Sequence, residues 1–312
     1  MSGVSFVVVC YNHARYAEPV TRALRAQRDI ADAEYVIVDD GSTDGTAEAF
    51  AAATQGWPNL VIVRQDNQGP SRALNAGLAR ATRPLIKLVG GDDVLHPEAT
   101  MRLRDAVLRH VAVYAFGRLG AFDPAEAASA AHWDERFRPM GRPAERVIDD
   151  PLDFMIRGMS FNPSCVLLRA AEAKEAGGSD ARVFVEDYSL SLRLAMRGRF
   201  VGIDATVAFA PEGDPSRLGM DGAQTLHDLN LALAGFIADH PELPGRYRRA
   251  IARRAFARAW RWARRKGNKK VMSSEFLLFA LAQIRLLPTG PNTLTKSCRP
   301  FRDTDSIRFP RG

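Results

Sequence analysis

Along the first third of the chain, stretches begin apolar and end polar, four times over. VSFVVVCYN (4–12), AEYVIVDDGSTDGT (33–46), NLVIVRQDNQG (59–69) and PLIKLVGGDD (84–93) all have this form. The unbroken, β-branched openings of the first two predict strands buried on both faces, and the other two also read as strands. The intervening stretches carry helical spacing instead. YAEPVTRALRAQ (16–27) sets Val20, Leu24 and Gln27 at helical intervals, and TAEAFAAATQ, PSRALNAGLARAT (70–82) and HPEATMRLRDAVLRH also read as helices. Pro70 suits the first turn of its helix. Four strand–helix alternations predict an α/β chain with a parallel, doubly wound sheet. Ligands of such sheets bind at the carboxyl ends of the strands. The polar residues that stand out lie there: Tyr11 and Asn12, Asp39 and Asp40, Asp66 and Asn67, Asp92 and Asp93.

Beyond residue 115 the pattern loosens. AVYAFGRLGAFD predicts another strand, 123–150 has little pattern, and MSFNPSCVLLRAAEAKEAGG reads as strand then helix. VFVEDYSLSLRLAMRG (183–198) is a helix opened by acids and closed by Gly198. FVGIDATVAFAPEGDPSRLG is a strand running into a Gly/Pro-rich loop, and from Met220 the chain reads as helical, with a boundary near 211–220. There are no internal repeats.

Composition adds a constraint and charge adds a question. With 46% hydrophobic and 25% charged residues in 312, the chain is ordinary globular protein. Cys10, Cys165 and Cys298 lie far apart without metal spacing and are expected to be reduced thiols. The start of the chain lacks the pattern of a secretory signal. FLLFALAQIRLL (276–287) is too short, and too interrupted by Gln283 and Arg285, to span a bilayer. The net charge of +7 is uneven: residues 215–312 hold 19 Lys+Arg against 7 Asp+Glu, the first 214 hold 24 against 29. Within that tail, RYRRAIARRAFARAWRWARRKGNKK (246–270) interleaves cations with Ile251, Phe256, Trp260 and Trp262, and helical spacing gathers Ile251, Ala255 and Trp262 toward one side. Two readings fit equally: a helix lying on an anionic membrane surface, or one packing its apolar side on the catalytic domain while its arginines meet solvent. Nucleic acid is a weaker third.

Adjacent carboxylates at a strand end suit a hard divalent cation that is shared with phosphate oxygens, since Mg²⁺ or Mn²⁺ takes only one or two protein carboxylates there. For Asp92 and Asp93 the competing reading is capping of the helix that follows. Asp39 and Asp40, in VDDGSTDGT, repel phosphate and suit the donors of a base edge or a ribose, whereas Asp44 reads as a cap.

VVVCYNHARYAEPVTRAL, YVIVDDGSTDGT, NQGPSRALNAGLARAT and LIKLVGGDDVLHPE stand in the order and near the spacing of family 2 glycosyltransferases, and the chain resembles that family over 4–110 and again over 160–203. The relatives it resembles most are those of bacterial polysaccharide and lipopolysaccharide biosynthesis. The resemblance implies the GT-A fold, a Rossmann-like, mostly parallel sheet flanked by helices, here with a C-terminal helical extension. It implies a nucleotide-sugar-binding half over 1–115, an acceptor-binding half of the same domain over 116–214, and the basic extension over 215–312.

Position by position, the resemblance puts Val9, Tyr11, Asp40 and Arg72 at the nucleotide, Asp92 at the ribose and Asp93 at the metal. Asp187 matches the catalytic base, with Glu186 supporting it. Arg217 is a weaker candidate, as a lid or diphosphate contact. Two departures stand out: Cys10 replaces the usual proline, and Gly91-Asp92-Asp93 lacks the first acid of the DXD motif. His96, Asn162 and Ser164 are lesser candidates, for metal and acceptor respectively, with structural roles as the alternative.

The implied activity is inverting transfer of a sugar from a nucleotide-diphosphate donor, UDP- or dTDP-linked by preference, to a hydroxyl of a cell-surface glycan or lipid-linked acceptor, with Mn²⁺ or Mg²⁺ as cofactor. The expected location is cytoplasmic, peripheral on the inner face of the membrane. The alternatives are a non-catalytic nucleotide-sugar-binding scaffold, and a sugar-phosphate nucleotidyltransferase. The latter lacks the glycine-rich basic loop it needs after the first strand. A dinucleotide-binding oxidoreductase is disfavoured because no GxGxxG follows any strand.

Overall fold

A computed structural model describes residues 3–127, 130–158, 161–213, 222–267 and 273–310. The chain forms two compact units, one of Met1–Asp149, Phe161–Gly178 and Arg197–Asp214, the other of Asp150–Ser160, Ser179–Met196 and Pro215–Gly312.

The first unit is built on a nine-stranded sheet. Its strands are β1 (Val4–Cys10), β2 (Ala33–Asp39), β3 (Leu60–Arg64), β4 (Leu85–Gly90), β5 (Val94–Leu95), β6 (Tyr114–Phe122), β7 (Glu145–Ile148), β8 (Val166–Arg169) and β9 (Phe200–Pro211). Their order is β3-β2-β1-β4-β8-β6-β9-β5, with β7 also on β9. Val4, Phe6, Val7, Val8 and Cys10 of β1 are wholly buried, as an unbroken apolar run requires. β1 lies parallel to both β2 and β4, and β3 lies parallel to β2. The register sets Cys10 beside Asp39, Val9 beside Gly90 and Asp39 beside Arg64. Four carboxyl ends therefore finish level.

Helices α1 (Ala17–Arg25), α2 (Thr46–Ala53), α3 (Pro70–Arg80) and α4 (Ala99–Arg109) follow β1, β2, β3 and β5 in turn, and α7 (Ala170–Glu175) follows β8. Gly77 brings α3 close to β1, because a Cβ there would lie 2.4 Å from Val7 Cγ1.

The first strand is shorter than its sequence pattern. β1 stops at Cys10, and Asn12 takes a left-handed φ of 56° that turns the chain out of the sheet. In the unpatterned stretch 123–150 the chain forms α5 (Ala130–Arg136) and β7, which pairs antiparallel with β9. Four residues are too few to show a period of two. Immediately after Asp93, β5 pairs Val94 with Phe209 and Leu95 with Ala208, which ties down the residues following the acid pair.

The second unit is helical: α6 (Pro151–Ile156), α8 (Glu186–Leu194), α9 (Gly222–Asp239), α10 (Gly245–Arg265), α11 (Ser274–Gln283), α12 (Pro291–Leu294) and α13 (Arg299–Arg302). Most of the basic segment, residues 246–265, lies in α10, and 268–270 lie outside the described residues. Ile251, Ala255, Phe256, Ala259 and Trp260 are buried in this unit, and Trp260 meets Phe276 of α11 edge-on at 5.3 Å between centroids. Trp262 donates its Nε1–H to Thr304 Oγ1 at 2.7 Å and packs against Phe301. The aromatic residues of α10 are thus covered by neighbouring segments of its own unit, where the packing reading named the catalytic domain. Among the described residues no helix is long and apolar enough to cross a membrane.

Candidate active site

The level strand ends of the first unit carry loops that are bonded to one another. Asn12 N–H donates to Ser42 Oγ at 2.8 Å, and Thr43 N–H donates to Asn12 Oδ1 at 2.9 Å. Ser42 Oγ–H in turn donates to the buried Asp39. The loops after β1 and β2 thus hold each other. Asp44 accepts from Thr46 N–H and from Ala14 N–H, both at 3.0 Å, which is the capping role its position suggested.

Asp40 binds a third loop. Its Oδ1 accepts from Gln65 Nε2 at 2.8 Å and Gln68 N–H at 3.0 Å, and its Oδ2 accepts from Gly69 N–H at 2.8 Å. Burial raises its pKa, while these hydrogen bonds pull it down. A carboxylate offers about four acceptor sites, so three donors leave room for one more. Gly41 lies against the same loop at φ 75°, and a Cβ there would come within 2.6 Å of Asn67 N. Arg72 is half-buried in the first turn of α3, and its Nε is buried without a hydrogen-bond partner among the described residues. Val9 is half-buried at the end of β1, and the Tyr11 side chain is 45% exposed beyond it.

At the end of β4, Asp92 and Asp93 are buried, and both carboxylates fold back over Gly90. A Cβ on Gly90 would lie 2.7 Å from Asp93 Oδ2 and 3.0 Å from Asp92 Oδ1, so any larger residue would push these carboxylates from their places. Ser164 Oγ–H donates to Asp93 Oδ2 at 2.7 Å and accepts from Gly90 N–H at 2.7 Å. Beneath it, Lys87 Nζ donates to Ser164 O at 2.5 Å and Leu88 O at 2.9 Å. Burial lowers the Lys87 pKa to about 7. Sequence reading passed over Lys87, although a lone lysine inside an apolar strand is a signal. Ser164 is wholly buried beneath the acid pair, the structural alternative to an acceptor contact. Asn162 caps the turn before it through Ser164 N–H at 2.7 Å.

The two departures from the family pattern meet in space. A Cβ at Gly91 would lie 2.4 Å from Cys10 Cβ and 3.0 Å from Cys10 Cα, so no acid fits at 91 without moving the end of β1. The Cys10 thiol donates to Val38 O at 3.3 Å, and burial raises its pKa well above the ordinary value. His96 is committed elsewhere. Its Nε2 bonds Arg138 O at 3.0 Å, its Nδ1 accepts from Glu98 N–H at 3.1 Å, and burial lowers its pKa.

The residues fit a hard divalent cation that is completed by ligand oxygens. Asp92 and Asp93 supply converging carboxylates, and among the described residues no cluster of three or more His, Cys, Asp or Glu is arranged to hold a metal by itself.

Glu186 and Asp187 open α8 in the second unit, and Asp187 Oδ1 accepts from Tyr188 N–H at 2.6 Å. The approach to this turn is fixed by Asp228 of α9, whose Oδ2 accepts from Phe184 N–H at 2.9 Å. Asp228 Oδ1 is bonded at 2.7 Å to Nδ1 of the buried His227, whose Nε2 accepts from Arg302 Nε at 2.9 Å. Nothing in the sequence marks Asp228, because it lies on a helix that carries no motif. Arg217 lies outside the described residues.

Burial and the neighbouring Asp187 push the Glu186 pKa up to about 8. An unfolded-chain glutamate ionises near pH 4.3. The folded protein therefore holds an extra proton between about pH 4.3 and 8, and this group's contribution to stability falls as pH rises through that window. Glu186→Gln should match the wild-type Tm near pH 4 and exceed it increasingly toward pH 9. Melting curves that stay parallel across that range would remove this account of Glu186.

Residues 5–163 match the family model described as glycosyl transferase family 2. The chain belongs to that family. It is 27% identical over 200 residues to the amylovoran biosynthesis glycosyltransferase AmsE of Erwinia amylovora, covering 62% of this chain and 70% of that one. It is 34% identical over 128 residues to the succinoglycan biosynthesis protein ExoU of Rhizobium meliloti (strain 1021), covering 40% and 36%. An uncharacterized glycosyltransferase of Nostoc, alr2836, is 36% identical over 101 residues, covering 32% and 31%. The family 2 chain thus spans about a third of the length of these last two relatives.

Among solved structures, S. aureus TarS 1-349 in complex with UDP-GlcNAc aligns with a TM-score of 0.66 at 16% identity, covering 98% of this chain and 93% of that one. The mannosyltransferase PcManGT from Pyrobaculum calidifontis, in complex with GDP-Man and Mn²⁺, aligns with a TM-score of 0.57 at 18% identity, covering 97% and 86%. The fold is GT-A, as the sequence motifs predict.

Proposed function

We propose that this family 2 protein transfers a sugar, with inversion, from a nucleoside-diphosphate donor to a hydroxyl of a glycan or lipid-linked acceptor. The observation that carries the reading is the convergence of Asp92 and Asp93 over Gly90, at a strand end level with the loops of Tyr11 and Asp40. Relatives named for amylovoran and succinoglycan biosynthesis support a polysaccharide product, and neighbours holding UDP-GlcNAc and GDP-Man support a nucleotide-sugar donor.

In this reading Tyr11 and Val9 bound the base, and the remaining acceptor site of Asp40 takes a base N–H, which favours uridine or thymidine. Asp92 accepts from the ribose. Asp93 holds Mn²⁺ or Mg²⁺, which when bound stabilises the charge of the departing diphosphate. Arg72 Nε, buried and without a partner among the described residues, adds a donor for an anion. Asp187 takes the proton of the acceptor hydroxyl as its oxygen bonds to the anomeric carbon of the sugar, which gains positive charge as its bond to the departing diphosphate breaks. Glu186, its pKa raised by burial and by the adjacent carboxylate, stands beside Asp187 in support. A lipid-linked acceptor would bring the enzyme to the inner face of the membrane.

The test is release of nucleoside diphosphate from UDP-, dTDP- and GDP-sugars, with and without EDTA. Metal-dependent release from a uridine or thymidine donor is expected. No release from any donor, with nucleotide binding intact, would favour a non-catalytic binding protein.

A further inference from the structure

FLLFALAQIRLL, too short to span a bilayer, is only partly covered by the second unit. Seven of the ten residues of α11 are apolar, and only Ala282 is buried. Leu277 is 58% exposed, and just beyond the helix Ile284 and Leu286 are 63% and 70% exposed. The helix is held along one side. Phe276 packs on Trp260, and Gln283 Nε2 donates to Arg253 O at 3.4 Å, so α10 and α11 run antiparallel. That pairing puts the exposed Arg253 and Arg261 of α10 alongside the apolar helix, with the exposed Arg285 at its end. From 245 to 287 the sequence has thirteen Lys and Arg and a single acid, Glu275.

We propose that α11 and the Ile284–Leu286 turn form a docking surface for an anionic lipid bilayer. The apolar side chains enter the boundary between head groups and acyl chains, and Arg253, Arg261 and Arg285 meet the lipid phosphates. An apolar strip with a cationic rim has the chemistry of a helix that lies in the interface rather than crossing it. The rim also argues against a second copy of the chain as occupant. A two-fold contact through this strip would bring the same arginines face to face. The surface differs from the one expected along 246–270, whose tryptophans are spent inside the unit. The proposal takes only its purpose, access to a lipid-linked acceptor, from the transferase reading.

The experiment is co-sedimentation of the whole protein with vesicles of phosphatidylcholine, and with vesicles of equimolar phosphatidylcholine and phosphatidylglycerol, at low and high salt. Binding to the anionic vesicles is expected to exceed binding to the neutral ones by about tenfold or more and to weaken with salt. The triple variant Leu277→Ser, Ile284→Ser, Leu286→Ser changes only exposed side chains. It should lose most of this binding while keeping the wild-type melting temperature and wild-type nucleotide binding. Equal binding to both vesicles, or unchanged binding by the triple variant, would overturn the proposal. So would a dimer in light scattering that the variant dissolves, which would make the strip a self-interface, or a nucleic-acid complex that competes with vesicles and depends on the same leucines. Because nucleotide binding is read on the same samples, failure of the docking surface and failure of the donor site are separate results.

Discussion

Asp187→Asn is expected to lower sugar transfer by about 10²–10⁴-fold, the range for removing a general base. The loss should fall on kcat, with the affinity for nucleoside diphosphate unchanged within about twofold. Asparagine keeps an oxygen that can accept from Tyr188 N–H, as Asp187 Oδ1 does at 2.6 Å, so the first turn of α8 has no reason to unfold. The amide simply cannot accept the acceptor's proton. Comparing kcat and KM for the variant and the wild type checks this, with melting temperature as the control. A variant that retained most of its kcat would leave Asp187 as a helix-capping residue and the catalytic base unassigned.

Asp93→Asn should cost at least about 10²-fold in kcat/KM, for a different reason. Metal stabilisation of a leaving diphosphate amounts to several kcal/mol, and about 1.4 kcal/mol is a factor of ten. The shape of the site should survive, because an amide oxygen can still accept from Ser164 Oγ–H. What disappears is the charge that the end of β4 presents. Excess Mn²⁺ should recover part of the loss, since Asp92 remains beside the substituted position.

The parallel strands were legible because their apolar runs are unbroken, whether wholly buried as in β1 or at the sheet edge as in β3, while the polar residues cluster at one end of each. The partners of those residues were not legible. Asp40 is held by Gln65 and by two backbone N–H groups, and a backbone donor leaves no mark on residue identity. Cys10 and Gly91 looked like independent departures until β1 and β4, paired side by side, brought them into contact. β7 escaped notice because four residues cannot show alternation. Periodicity could also group the aromatic residues of α10 on one side, but it could not say whether protein or lipid would cover them. Trp260 and Phe276 answer that for α10 and leave α11 as the exposed apolar strip.

Everything proposed for the donor depends on a nucleotide being gripped through a cation at the tip of β4. Calorimetric titration of UDP into the protein, with Mn²⁺ and then with EDTA, tests that most directly. Wild type should bind at least about tenfold more tightly with Mn²⁺, a gain of about 1.4 kcal/mol, and Asp93→Asn should lose that gain while keeping its metal-free affinity. Binding that ignores the metal, or an equal gain in the variant, would contradict the account.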